Sequence, residues 1–181
     1  QGILLKILSL RTKDSTTFNL LKAIIFSYST VSNEKIGMPI GNLTSQIFAN
    51  IYMNELDRFV KHTLKPQAYL RYGDDFVVIE PDSQKLENFR TKTIKFLNEK
   101  LKLQINPKSD RVMKAYNGLK YLGVKLWPSG RTLTKRNFSR TKKRLETNNC
   151  ASYSGLVRQH GNHKHVKEFD WTVYERFLGD I

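Results

Sequence analysis

A chain of 181 residues with 39% hydrophobic and 26% charged residues is long enough to bury a core and too apolar for a disordered segment. Its 31 Lys and Arg against 16 Asp and Glu give a net charge of +15, which points to a polyanionic partner, nucleic acid before an anionic membrane surface. No apolar run is long enough to span a bilayer and no signal-peptide pattern opens the chain, while the lone Cys150 excludes an internal disulfide and a cysteine-built zinc site, so a cytoplasmic protein is expected.

Taken in order, residues 3–10 and 17–28 read as two helices, broken at Thr12-Lys13-Asp14-Ser15, whose cap chemistry starts the second. Gly37, Pro39 and Gly41 crowd a short loop. A long helix follows from Thr44 to Leu64, with Phe48, Tyr52, Leu56, Phe59 and Val60 on one face. Residues 68–72 and 76–80 flank Gly73-Asp74-Asp75 as a hairpin. Asp82 or Ser83 caps a helix carrying the Leu86, Phe89, Thr93, Leu97 stripe. Leu101, Leu103 and Ile105 alternate as a strand ending at Asn106-Pro107, and Asn117-Gly118 marks a second hairpin with Tyr121 to Trp127 returning. Pro128-Ser129-Gly130 is a turn signal between differently composed segments, and a soft boundary is placed there. The pattern is α+β, helices packed on one face of an antiparallel sheet. Charge is uneven: residues 51–100 are nearly balanced, whereas 131–181 carry 11 bases against 5 acids.

The chemistry concentrates at Tyr72-Gly73-Asp74-Asp75. Two adjacent carboxylates at a hairpin tip repel each other, and a divalent cation relieves that cost. Magnesium takes one or two carboxylates with waters and phosphates, and two such ions can clamp both oxygens of a nucleotidyl transfer. Gly-Asp-Asp is also the pattern of an ordinary exposed turn. Gly37 to Gln46 runs from a glycine-proline loop into a helix N-terminus suited to phosphate. Gly41, Ser45 and Ala49, four apart, form a narrow small-residue face for a flat nucleotide or, alternatively, for another helix.

These motifs together resemble the palm of reverse transcriptases: a glycine loop with Ser45-Gln46, an amphipathic helix, and an aromatic-x-Asp-Asp hairpin. Asn106-Pro107-Lys108 looks like the family's lysine-bearing loop, and Tyr121-Leu122-Gly123 like its primer grip. The resemblance implies a right-hand polymerase palm over 1–127 and a basic, helical thumb-like region over 128–181. It also implies RNA-directed DNA synthesis from deoxynucleoside triphosphates on a primed RNA template, with Mg2+ at a two-metal site. Asp74 and Asp75 are then the metal and catalytic carboxylates, and Lys108 is the candidate acid. Pro39, Gly41, Ser45, Gln46 and Tyr72 line the nucleotide pocket. The family's first catalytic aspartate and its fingers are expected upstream of Gln1, so the chain alone is expected to be inactive.

Ile40 and Ser45-Gln46 replace the commoner Gln and Ser-Pro of this loop, a variant similar to reverse transcriptases of diversity-generating retroelements, which work with a small basic accessory protein. Two other readings stay open. Gly73 is also common in viral RNA-dependent RNA polymerases, which would prefer ribonucleotides. A non-catalytic, maturase-like RNA binder is the third, although such a protein gains nothing from two anions facing a polyanion.

Lys135, Arg136, Arg140, Lys142, Lys143 and Arg144 give six bases without an acid on one predicted helix, which in the family tracks the primer–template backbone. A solvated basic face is the alternative. His160, His163 and His165 lack partners at ligand spacing and read as surface residues or phosphate contacts, and Cys150 reads as inert.

Overall fold

The computed structural model describes residues 1–27, 37, 43–177 and 179. The chain forms two compact units, Gln1–Val112 and Met113–Ile181. Both mix helices with small antiparallel sheets, so the fold class is α+β.

In the first unit, α1 (Gly2–Ser9) buries Leu4, Ile7 and Leu8. The Asp14 carboxylate caps α2 (Ser15–Phe26) by accepting the Thr17 N–H at 2.6 Å. Helix α3 (Leu43–Arg58) runs on through a π-helical turn, Phe59–Leu64, and stops at Lys65, whose φ of 53° is left-handed. Asp82 caps α4 (Ser83–Phe96), which ends in the same way, through Leu97–Leu101 and Lys102 at φ 53°. Phe59 and Phe96 stack at 4.2 Å between the two helices. Met53, Leu56, Val60, Leu64, Phe89, Leu97 and Leu101 form the buried core. Each large apolar side chain withdrawn from water there contributes roughly 1.5–3 kcal/mol.

Strands β1 (Ala68–Tyr72) and β2 (Asp75–Ile79) pair antiparallel from Ala68↔Ile79 to Tyr72↔Asp75. Side chains alternate across a strand. Tyr69, Phe76 and Val78 therefore pack on the α3/α4 core, while Leu70, Tyr72 and Ile79 lie exposed on the other face. Helices thus cover one face of this ribbon, as the pattern predicts.

The strand expected over Leu101, Leu103 and Ile105 does not form. Leu101 closes the π turn, and the Leu103 N–H returns to the Leu97 carbonyl at 3.0 Å. Leu103 and Ile105 still pack on the core. Alternating burial needs only one packed face, whereas a strand also needs a partner for its backbone.

The second unit opens with a short 3₁₀ turn, Ala115–Asn117, and three strands in meander order: β3 (Leu119–Tyr121), β4 (Val124–Trp127) and β5 (Gly130–Leu133). The expected hairpin turn at Asn117-Gly118 is instead the exit of the 3₁₀ turn. A Cβ on Gly118 would meet the Lys125 and Trp127 side chains at 2.5 Å, so close approach explains that glycine. The β3–β4 turn is Leu122-Gly123, both at positive φ (48° and 80°), the geometry of a type I′ hairpin. Pro128-Ser129 is the loop of the next hairpin, where Trp127 pairs with Gly130, so that turn signal joins paired strands within this unit. Helices α5 (Lys135–Lys143), α6 (Cys150–His160) and α7 (His163–Phe177) close a core of Leu133, Phe138, Leu145, Val157 and Phe169. Among the described residues no helix is long and apolar enough to cross a membrane.

Candidate active site

The β1–β2 loop has two residues. Gly73 occupies its first position at φ 63°, where a type II′ turn places glycine, and Asp74 its second. Asp75 begins β2 opposite Tyr72, on the open face of the ribbon. Asp74, Asp75 and Tyr72 are all exposed.

Beneath the tip lies a charged network on the inward face. Arg71 Nε and Nη2 donate to the two oxygens of Asp57 on α3, each at 2.7 Å. Arg71 Nη1 donates to the Gly73 carbonyl at 2.7 Å and to Asn50 Oδ1 at 3.3 Å. The Tyr69 hydroxyl adds a third donor to Asp57 at 2.8 Å. Burial pushes the Asp57 carboxyl up, but the hydrogen bonds from Arg71 and Tyr69 and the Arg71 charge outweigh it and hold the group below its ordinary value. Burial and the bond to Asp57 drive the Tyr69 phenol well above its ordinary value, so it remains a donor.

Sequence reasoning missed this network. The signal was available, because strand alternation turns Arg71 inward with Tyr69, and an inward guanidinium must find an anion. Asp57, one helix earlier, is the acid at hand.

The acids of the first unit divide sharply. Asp14 and Asp82 cap helices. Glu55 meets Arg11, Asp57 meets Arg71, Glu80 meets Lys85, Glu87 and Asp110 meet Arg90, and Glu99 meets Lys95. Among the described acids of this unit, only Asp74 and Asp75 make no side-chain hydrogen bond or ion pair. Two adjacent, exposed, unpartnered carboxylates fit magnesium, which takes one or two carboxylates and completes its shell with water and phosphate. No group of three His, Cys, Asp or Glu able to hold a metal occurs among the described residues, so the tip supplies this pair alone.

Of the other predicted pocket residues, Ser45 and Gln46 sit in the first turn of α3. Ser45 is half-buried with an unpartnered Oγ, and Gln46 is exposed. Gln46, Asn50 and Asp57 share one helical stripe, and Asn50 and Asp57 meet Arg71. That stripe ties the start of α3 to the tip. Pro39, Ile40 and Gly41 lie outside the described residues. Lys108 is exposed in a turn closed by its own N–H on Asn106 Oδ1 at 3.1 Å, with no bond to the tip.

In the second unit the structure joins two predicted nucleic-acid elements. The Thr134 hydroxyl and N–H both donate to the Gly123 carbonyl, at 3.0 and 3.1 Å, which fastens the start of α5 to the Leu122-Gly123 turn beside Tyr121. Phe138, Thr141 and Leu145 form the buried side of this segment. Lys135, Arg136, Arg140, Lys143 and Arg144 are exposed and carry no ion pair among the described residues, with Arg136, Arg140 and Lys143 on one ridge. Lys142 differs, because its ammonium binds Glu168 on α7. His165 stacks on Phe138 at 4.1 Å, and Cys150 opens α6, half-buried against the same core.

A family model described as reverse transcriptase (RNA-dependent DNA polymerase) matches residues 4–126, from α1 into β4. No curated protein matches the chain.

Proposed function

The chain belongs to the reverse transcriptase family, and from that premise we propose that it carries the palm of an RNA-directed DNA polymerase whose metal-binding carboxylates are Asp74 and Asp75. One observation carries this reading: in a unit where the other described acids cap helices or pair with a base, these two alone stand free, side by side on an exposed turn. Bound magnesium would supply charge neutralisation at the transferring phosphate and a more nucleophilic primer hydroxyl. The chain's own residues orient and bind. The turn holds both carboxylates exposed at the hairpin tip, with Asp75 on the open face, where Tyr72 offers a ring for a sugar or base. Gln46 and Ser45, at the start of α3, are the pocket residues for the incoming deoxynucleotide, with Pro39 and Gly41 before them. Lys108, exposed on its turn, is a proton donor to the departing pyrophosphate. The ridge of α5, fastened to Leu122-Gly123, tracks primer and template phosphates without reading sequence. The Ile40 to Gln46 sequence supports the finer assignment to a diversity-generating retroelement with a basic accessory protein.

The test is primer extension by the full-length polymerase. Asp74→Asn removes a metal ligand and keeps the turn, so synthesis should fall about a thousandfold, the equivalent of several kcal/mol of lost charge stabilisation. RNA affinity should stay within about twofold, because the basic ridge is untouched. Extension near the wild-type rate by this variant refutes the assignment of Asp74.

A further inference from the structure

We propose that Arg71 is a positioning residue that sets which way the hairpin tip presents Asp74 and Asp75. The inference rests on the metal-binding reading of those two carboxylates, and adds a device that the motif itself does not contain.

In a two-residue hairpin loop, types I′ and II′ differ by a flip of the peptide between the two loop residues. Here that peptide joins Gly73 to Asp74. Glycine tolerates both forms, and aspartate is among the few residues that accept the positive φ the I′ form would require. Local preference therefore leaves the peptide free to flip, and each flip re-aims the Asp74 side chain and its neighbour. The observed turn has Gly73 at φ 63°, with Asp74 outside the positive region.

What selects it is the Arg71 fork. Nη1 holds the Gly73 carbonyl, the oxygen of the peptide that would flip, at 2.7 Å. The other edge of the same guanidinium is fixed by two 2.7 Å bonds to Asp57, so it cannot follow the carbonyl if the peptide turns. Asn50 braces the shared nitrogen, and Tyr69 braces Asp57. The side chains of Arg71 and Asp57 are only 12% and 20% exposed, so solvent competes weakly for the bonds to Asp57, while the Nη1 bonds to Gly73 and Asn50 lie at the exposed edge of the network. A charge pair buried under a ribbon could serve packing alone, but packing does not need a donor aimed at the loop carbonyl. The geometry needs a planar fork: one edge for a carboxylate and a remaining N–H for the carbonyl.

The experiment uses the full-length polymerase with Arg71→Lys, Arg71→Gln, Asp74→Asn and wild type. Mn2+ binding is followed by electron paramagnetic resonance, and the Mg2+ dependence of primer extension is followed alongside it. Lysine keeps the charge opposite Asp57 but cannot hold both carboxylate oxygens and the carbonyl together. Arg71→Lys should therefore melt close to wild type, yet bind Mn2+ about tenfold more weakly and need about tenfold more Mg2+ for half-maximal extension. Arg71→Gln should lose at least as much, and if it unfolds, Arg71→Lys still decides the question. Mn2+ affinity and Mg2+ requirement equal to wild type in Arg71→Lys overturn the proposal, because charge alone would then suffice. If Asp74→Asn abolishes Mn2+ binding while Arg71→Lys matches wild type, the positioning role fails and the metal reading stands. If Asp74→Asn also binds Mn2+ as wild type does, the metal reading itself fails.

Discussion

The tip of the β1–β2 hairpin and the ridge of α5 display charge by opposite means. At the tip, two acids stand free because a guanidinium beneath them is tied to Asp57, Asn50 and the loop carbonyl. On α5, four exposed bases, with a fifth at the C-cap Arg144, stand on a helix whose other side is held by Phe138 and Thr141, and only Lys142 is spent on an internal acid. A site that binds a small cation in one geometry needs an ionic frame to fix direction. A surface that follows a polyanion needs charge density and tolerates loose side chains. The prediction that follows is that α5 can be neutralised without structural penalty, whereas the tip is coupled to its unit's stability.

The sharpest way to break that contrast is to remove the ridge. Arg136→Gln, Arg140→Gln and Lys143→Gln should each leave the unfolding free energy within about 0.5 kcal/mol of wild type, since exposed substitutions of this kind rarely do more. Each lost phosphate contact should lower the slope of log affinity against log salt by roughly 0.7–0.9, so the triple variant should lose about 2–3. Titrations of primed RNA at several salt concentrations measure this. An unchanged slope would leave the bases as a solvated face.

A smaller contrast appears on acidification. Asp57 is held below its ordinary value, so its contribution is complete above the unfolded carboxylate value of roughly 4 and is lost as pH falls through the lower folded value. His165 sits in the other unit. Burial against Phe138 pushes its imidazole down, Glu168 pulls it up, and Lys164 and Lys142 push it down again. A base with a depressed folded value also loses stability as pH falls, but from roughly 6.5 downward. Hydrogen exchange against pH should therefore show α7 loosening before β1. His165→Phe should abolish the earlier loss and Asp57→Asn the later one. Simultaneous loosening in wild type would break the comparison.

How much of this was legible in the sequence depends on the range of the interactions. Asp14 and Asp82 act on the next few residues, and both caps are readable from their helices. The hairpin tip is readable because apolar strands flank it on both sides. Elements set by distant partners were not. Leu103 and Ile105 alternate like a strand, but no neighbouring strand takes their backbone. Leu122 occupies a positive-φ position that favours asparagine or glycine, so Asn117-Gly118 drew the turn assignment instead. Lys142 reads as one more free base until α7 brings Glu168 to it. Arg71 and Asp57 are fourteen residues apart, on a strand and a helix, and only the packed hairpin joins them.

The smallest expected effect concerns how α5 begins. Its first turn carries Lys135 and Arg136 and no acid, so two cations face the positive end of the helix dipole. Thr134 is the offset. Its hydroxyl accepts the Asn137 N–H at 3.4 Å and donates to the Gly123 carbonyl at 3.0 Å. Thr134→Ala removes both contacts and leaves the backbone bond from residue 134 to Gly123 in place. The loss should be about 1 kcal/mol, typical for a deleted cap. Thr134→Ser keeps the hydroxyl and should stay close to wild type, which separates the cap from the packing of the threonine methyl. Chemical denaturation of all three proteins makes the measurement. The comparison also sets a limit on function, because fraying should blur only Lys135 and Arg136 and spare Arg140 and Lys143 further along the helix. RNA affinity in Thr134→Ala should thus fall by no more than about two phosphate contacts' worth of salt slope. A larger fall would mean that the Leu122-Gly123 turn, released with the hydroxyl, contributes contacts of its own.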